Sequence, residues 1–126
     1  MAHSVSSQLS PYVDKLVVDT DANATAETAI FSGDAATIYI IDIDNSKNSS
    51  TVAAKLFNHA NPTIDGSNSS TQPDINLTIP KQSRQTVTID DGINFSSDFS
   101  FACTASASTT SNTSPQSAVT MRIMAE

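Results

Sequence analysis

The chain is poor in the residues from which most active sites are built. Its 126 residues include one cysteine, three glycines, two histidines and no tryptophan. A lone cysteine cannot form a disulfide within the chain, and two separated histidines cannot supply the ligands of a structural zinc site. Neither a phosphate-binding loop nor a dinucleotide fingerprint occurs in the sequence. We therefore expect no catalytic residue, no cofactor, no metal site and no enzymatic activity.

The isolated reactive side chains have ordinary structural interpretations. Cys103 lies in an alternating apolar row without a basic neighbour, which predicts a small buried hydrophobe. His3 lies in a Ser-rich segment that nothing is expected to fix, and His59 is interpreted as a turn residue. Oxygen side chains alternate in Asp19–Thr25 and in Asp42–Ser46, but both segments lack the glycine and glutamate of an EF-hand loop. We interpret these acids as solvated turn residues and leave open a weak surface cation.

Charge is scarce and mostly negative. Charged residues make up 15% of the chain, with six basic against thirteen acidic residues and a net charge of −7. An acidic surface repels phosphate backbones, so nucleic acid is not an expected partner. No apolar run approaches the roughly 20 residues of a membrane span, so a membrane is not expected either. Residues 1–8 lack the basic and apolar regions of a signal peptide, which predicts synthesis in a cytoplasm.

Hydroxyl side chains and a period of two dominate the rest of the sequence. The chain contains 20 serines and 15 threonines, more than a quarter of its residues. Apolar residues alternate with polar ones in several short rows separated by turn residues, a pattern typical of half-buried strands. This predicts one all-β domain, an antiparallel β-sandwich or jelly-roll-like fold of about eight strands. Its core is expected to contain Ile38, Ile40, Leu56, Ile75, Leu77, Ile79, Val87, Ile89, Phe99, Phe101, Val119, Met121 and Ile123.

Four local predictions accompany this fold class. Tyr12–Val18 and Glu27–Phe31 are each predicted to form a strand. Asn45–Ser50 is polar and predicts a hairpin loop, and Asp90–Gly92 predicts a tight turn.

Two regions of the chain differ in pattern. Residues 12–126 carry the alternating rows and form the predicted β-sandwich domain. Residues 1–11 are dominated by serine and glutamine, which predicts a flexible or partner-ordered N-terminal arm. Val5 and Leu9 of the arm and Tyr12 directly after it are the candidate interface residues, because the arm carries no charge pairs with which to bind a neighbour.

The segment from residue 52 to residue 105 resembles a known group of proteins. Its pattern is Ala54–Asn58, then Ala60–Gly66, then the proline-bounded strand Pro73–Pro80, then Asp91–Ser96. This is similar to small β-sandwich structural proteins of tailed bacteriophages, including marine cyanophages. Phe57 stands where tyrosine is usual in that group, and Ile64–Gly66 carries one extra residue before the glycine.

The resemblance implies a non-enzymatic virion protein made in the host cytoplasm. The first hypothesis is a capsid decoration (cement) protein that binds the major capsid protein and forms a homo-oligomer, with a trimer favoured. A tail, neck or fibre component of the same virion is the second hypothesis. A carbohydrate-binding β-sandwich module is the third, although it would need an aromatic platform and the chain has no tryptophan.

Overall fold

The computed structural model describes residues 3–7 and 14–126 and contains no helix in that part of the chain. Eight strands form two antiparallel sheets, which confirms the predicted all-β fold and its strand number. The strands are β1 (His3–Ser7), β2 (Lys15–Ala22), β3 (Ala36–Asp44), β4 (Val52–Phe57), β5 (Ile75–Ile79), β6 (Arg84–Phe95), β7 (Ser100–Thr104) and β8 (Val119–Ala125).

The two sheets pack as a sandwich. The larger sheet has five strands in the order β1-β2-β8-β3-β6, and the smaller has three in the order β5-β4-β7. Every strand pair is antiparallel. Their inner faces meet in one apolar core, at the centre of which the Phe99 ring lies 6.0 Å from Phe31, 5.1 Å from Phe95 and 5.7 Å from Phe101. The aromatic cluster ties β7 to the end of β6 and to the turn that follows β2.

The strand predicted at Glu27–Phe31 is wrong. This segment makes one isolated bridge to Phe101 and then turns, with Ala29 and Ser32 at positive φ. The carboxylate of Asp98 holds the turn by accepting hydrogen bonds from the backbone amides of Phe31 and Gly33. The segment nevertheless covers the free edge of β7, because backbone bonds join Glu27 to Phe101 and Ile30 to Phe99.

Two predicted turns also differ from the structure. Asn45–Ser50 is not a hairpin loop, because it carries the chain from the large sheet to the small one. The buried Asn45 amide donates to the carbonyl oxygens of Ser50 and Pro80, which fixes this crossing. Asp90–Gly92 is not a turn either, since it lies inside β6. There four residues, 89–92, stand opposite the single residue Tyr39 of β3.

Eight of the thirteen residues predicted to form the core are buried, and the other five are partly exposed. Ile38, Leu56, Ile79, Phe99, Phe101, Val119, Met121 and Ile123 are buried, whereas Ile40, Ile75, Leu77, Val87 and Ile89 are partly exposed. Ile40 leaves the core because the irregularity at Tyr39 shifts the alternation of β3, so that Ile38, Ile41 and Ile43 face inward. The other four side chains lie on β5 and β6, the edge strands at one side of the sandwich.

The outer face of the small sheet is covered by loops. Lys55 in β4 is only 1% exposed, and its ammonium donates to the carbonyl oxygens of Ser108 (2.6 Å) and Ser111 (3.4 Å). Its cross-strand neighbour Asn76 donates to the Ala107 carbonyl at 2.7 Å. Burial lowers the pKa of Lys55. These bonds pin the loop between β7 and β8 over the sheet and satisfy backbone oxygens that the loop would otherwise bury.

Candidate interaction edge at strand β1

Of the three residues predicted to form an interface, the structure describes only Val5. Val5 lies in the middle of β1, with 45% of its surface exposed. Leu9 and Tyr12 lie outside the described residues, so their part of the prediction stays a prediction. Residues 1–2 and 8–11 also lie outside the described residues, so the predicted arm stays a prediction there. Within that arm, however, His3–Ser7 are held by the chain itself, because they pair with Lys15–Asp19.

Strand β1 forms one edge of the large sheet. Val5 stands directly opposite Val17, and directly opposed residues of antiparallel strands share a face of the sheet. Val17 is fully buried in the core, so Val5 also lies on the inner face of the sheet, at its margin. Within the described residues, the other edge of β1 has no strand beside it. The edge therefore offers unpaired backbone groups together with one apolar side chain.

A polar contact holds β1 against the loop that covers β7. His3 Nδ1 lies 3.0 Å from Glu27 Oε2, and the two residues come from opposite layers of the sandwich. The expectation that His3 is not fixed is therefore wrong. Its register partner on β2 is Asp19, which is fully buried. His3, Asp19 and Glu27 together form what we call the β1 latch, which closes the seam between the layers at this side.

The latch contains unsatisfied carboxylate oxygens. Asp19 Oδ1 accepts a hydrogen bond from the amide of Asp21 at 2.9 Å, but Asp19 Oδ2 and Glu27 Oε1 have no partner among the described residues. Burial raises the pKa of Asp19, and the neighbouring charge of Glu27 raises it further, although the Asp21 amide opposes both effects. Because the pKa of Asp19 is raised, the contribution of this carboxyl to stability depends on pH.

The remaining reactive groups are placed where structure accounts for them. Burial raises the pKa of the Cys103 thiol to about 12, which keeps it in the unreactive protonated form and agrees with the predicted small buried hydrophobe. In the two oxygen-rich segments, Asp19, Asn23 and Asp44 use side-chain oxygens to accept backbone amides two residues ahead. Within residues 3–7 and 14–126, no three acidic, histidine or cysteine side chains converge as metal ligands.

Sequence reasoning did not find Glu27 or Asp19 as members of this site. Both lie within segments interpreted as a strand or as turn acids. One signal was present: Glu27 is the only charged residue between Asp21 and Asp34. A single acid in an alanine- and threonine-rich segment that covers a sheet edge is a position where a specific polar partner is expected. Its partner is 24 residues away in sequence, so the pairing itself follows only from the fold.

Comparison of this chain with protein-family models, with curated proteins and with solved structures finds no match. In the part of the chain that the structure describes, no helix is long and apolar enough to cross a membrane.

Proposed function

We propose that the chain is a non-enzymatic structural protein of a tailed-phage virion, a decoration protein that binds the major capsid protein. The resemblance of residues 52–105 supports this role. So does the β-sandwich itself, which agrees with the fold that the resemblance implies. In this proposal the protein is made in the host cytoplasm, joins the particle there and forms a homo-oligomer, with a trimer favoured.

The observation that carries the proposal is the free edge of β1. An edge strand can add a strand from a neighbouring protein, because its outer N–H and C=O groups are available for a new ladder. Val5 supplies an apolar anchor beside these groups, with 45% of its surface exposed. The chain has few charges to use for attachment, so backbone hydrogen bonds and burial of a few apolar side chains are the available binding forces.

Copy number in purified particles tests the role directly. Quantitative mass spectrometry of particles that contain this chain should find hundreds of copies per particle if it decorates the shell. A dozen copies or fewer would instead favour the tail, neck or fibre component, because those structures are built once per particle. Absence of the chain from washed particles would contradict both virion roles.

Removal of the β1 edge tests the attachment surface. A variant that lacks residues 1–11 should keep the sandwich, because β2 remains paired with β8, and should bind stripped capsids more weakly than the full chain. Val5→Thr is the matched control, because it keeps the shape of the side chain and the backbone of β1 while removing apolar surface. It should weaken binding less than the deletion does. Equal binding by the full and shortened chains would show that attachment uses other surfaces.

A further inference from the structure

The opposite edge of the large sheet is formed by β6. Its regular part runs from Arg84 to Thr88 and, among residues 3–7 and 14–126, pairs with β3 alone. Natural sheets protect such edges with lysine, proline or inward-pointing charges, and Gln85–Ile89 contains none of these. Four of these five residues are β-branched, which favours an extended conformation. This stretch is an unprotected strand edge.

The seam between the two sheets is open beside this edge. Val87 and Ile89 of β6, with Ile75 and Leu77 of β5, pack against the core but stay partly exposed. At the other side of the sandwich the β1 latch and the segment around Glu27 close the corresponding seam. These apolar side chains lie beside the unpaired edge of β6, so they become more buried when another strand is added at that edge.

Along β6 itself and the turn before it, the charged residues have opposite signs at opposite ends, although Arg84 also lies beside Asp42 and Asp44 of β3. Between Lys81 and Phe95 the only charged residues are Lys81 and Arg84 at one end and Asp90 and Asp91 at the other. A second copy that pairs antiparallel brings the basic end of each chain beside the acidic end of its partner. The occupant that best complements this edge is therefore β6 itself.

We propose that two copies of this chain associate through their β6 edges, antiparallel and related by a two-fold axis at Val87. Opposed residues share a face, so only registers that pair Val87 with a core-facing residue are allowed, and a slip of one residue is excluded. Among the allowed registers, the one centred on Val87 brings Arg84 beside the end of the partner's regular strand, where Asp90 lies in the irregular segment 89–92. Arg84 is available for this, since 55% of its side chain is exposed although it also binds Asp42. The result is a continuous ten-stranded sheet with an isologous interface.

Cysteine cross-linking identifies the register. In this arrangement residue 87 meets residue 87 of the partner, at a spacing that a disulfide can bridge. Val87→Cys should therefore form a disulfide-linked dimer under mild oxidation. Thr86→Cys and Thr88→Cys are matched controls, because residue 86 meets residue 88. Each alone should stay unlinked, and an equal mixture of the two should cross-link. The native Cys103 is buried and does not interfere.

The cross-linking pattern decides both whether the contact forms and in which register. A dimer of Val87→Cys, with cross-linking of the mixed pair, supports the proposal. Self-cross-linking of Thr86→Cys or Thr88→Cys alone overturns the register, and absence of any cross-link overturns the contact. Light scattering of the native chain should give two copies, or an even multiple, at concentrations where cross-linking occurs. A mass of one or three copies overturns the proposal. The trimer favoured for the decoration role is compatible with the β6 contact only if two trimers pair into a hexamer, which is an even number of copies.

Charge reversal tests the ends of the interface separately. Asp90→Lys should raise the dimer dissociation constant about tenfold, because it sets two like-charged pairs across the axis. Asp90→Lys combined with Arg84→Gln should recover part of the lost affinity, since it removes both like-charged pairs without setting a carboxylate beside that of Asp42. Asp21→Lys makes the same charge change on β2, which β8 and β3 separate from β6, and should leave the dissociation constant unchanged. No recovery in the double variant would overturn the Arg84–Asp90 pairing.

Discussion

Replacement of Phe101 by alanine is the most direct test of the packing. Phe101 is fully buried in β7, opposite Leu56 of β4, and its ring lies 5.7 Å from that of Phe99. The alanine variant loses the transfer energy of a buried ring and leaves a cavity, a combination that costs about 3–5 kcal/mol of unfolding free energy. That is a large fraction of the roughly 5–15 kcal/mol by which native domains are stable.

Equilibrium urea denaturation measures this loss as a lower midpoint at an unchanged slope. Ile93→Ala is the control, because it also removes apolar atoms from a strand but from a side chain that is 38% exposed. It should cost about 0.5 kcal/mol or less. If Phe101→Ala leaves the midpoint unchanged, or costs no more than Ile93→Ala, the aromatic cluster does not form the centre of the core.

Three further substitutions have defined outcomes in the same assay. Arg84 holds the pKa of Asp42 below its usual range, so the stabilisation by this ion pair is full above the ordinary pKa of an aspartate and is lost as pH falls through the pKa of Asp42 in the folded protein. Asp42→Asn should therefore cost about 1 kcal/mol of unfolding free energy at pH 7 and little at pH 2. An equal loss at both pH values would contradict this. Burial raises the pKa of Asp19, so the protonated side chain stabilises the fold at low pH, and this stabilisation is lost as pH rises through the raised pKa. At pH 7 the Asp19→Asn variant should therefore be more stable than the native chain by about 1 kcal/mol. A lower stability of the variant at pH 7 would refute the reasoning. Gly92 has φ +72° and faces Tyr39 so closely that a Cβ would lie 2.9 Å from its ring; Gly92→Ala should cost about 1–3 kcal/mol, and a neutral result would mean that the irregular part of β6 is adaptable.

Sequence periodicity predicted the strands whose alternation is unbroken. In β8 the buried residues are Val119, Met121, Ile123 and Ala125, each separated by a residue of partial exposure. Alternation fixes the face of every residue in such a row, because the side-chain period of a strand is two. The prediction failed at Ile40, where an irregularity at Tyr39 changes the phase. The irregularity involves both neighbours of β3: Tyr39 is an extra residue opposite β8, and it stands opposite the four residues 89–92 of β6. The pattern of a single strand carries no such information.

The candidate site was harder to predict than the fold for the same reason. β1 has no apolar alternation of its own, since Val5 is its only large apolar residue. It becomes a strand because β2 offers a partner for it and because Glu27 meets His3. Likewise, Glu27–Phe31 has strand-like composition but turns, because Asp98 holds the amides of Phe31 and Gly33. In both segments a contact between distant residues determines the local conformation.

The two edges of the large sheet differ in how the chain protects them, and this difference separates the two proposed contacts. At the β1 edge the latch closes the seam, so a partner can add only backbone bonds and cover Val5. At the β6 edge the seam is open, so a partner also buries Val87 and Ile89. The two proposed contacts use opposite edges of one sheet: the capsid binds at β1 and a second copy pairs at β6. Three strands lie between these edges. Deletion of residues 1–11 should therefore weaken capsid binding and leave the Val87→Cys cross-link intact. Asp90→Lys should weaken the dimer and leave binding of a single copy unchanged. If the deletion abolished the cross-link as well, residues 1–11 would be required for the β6 contact, and the two edges would not act as independent interfaces.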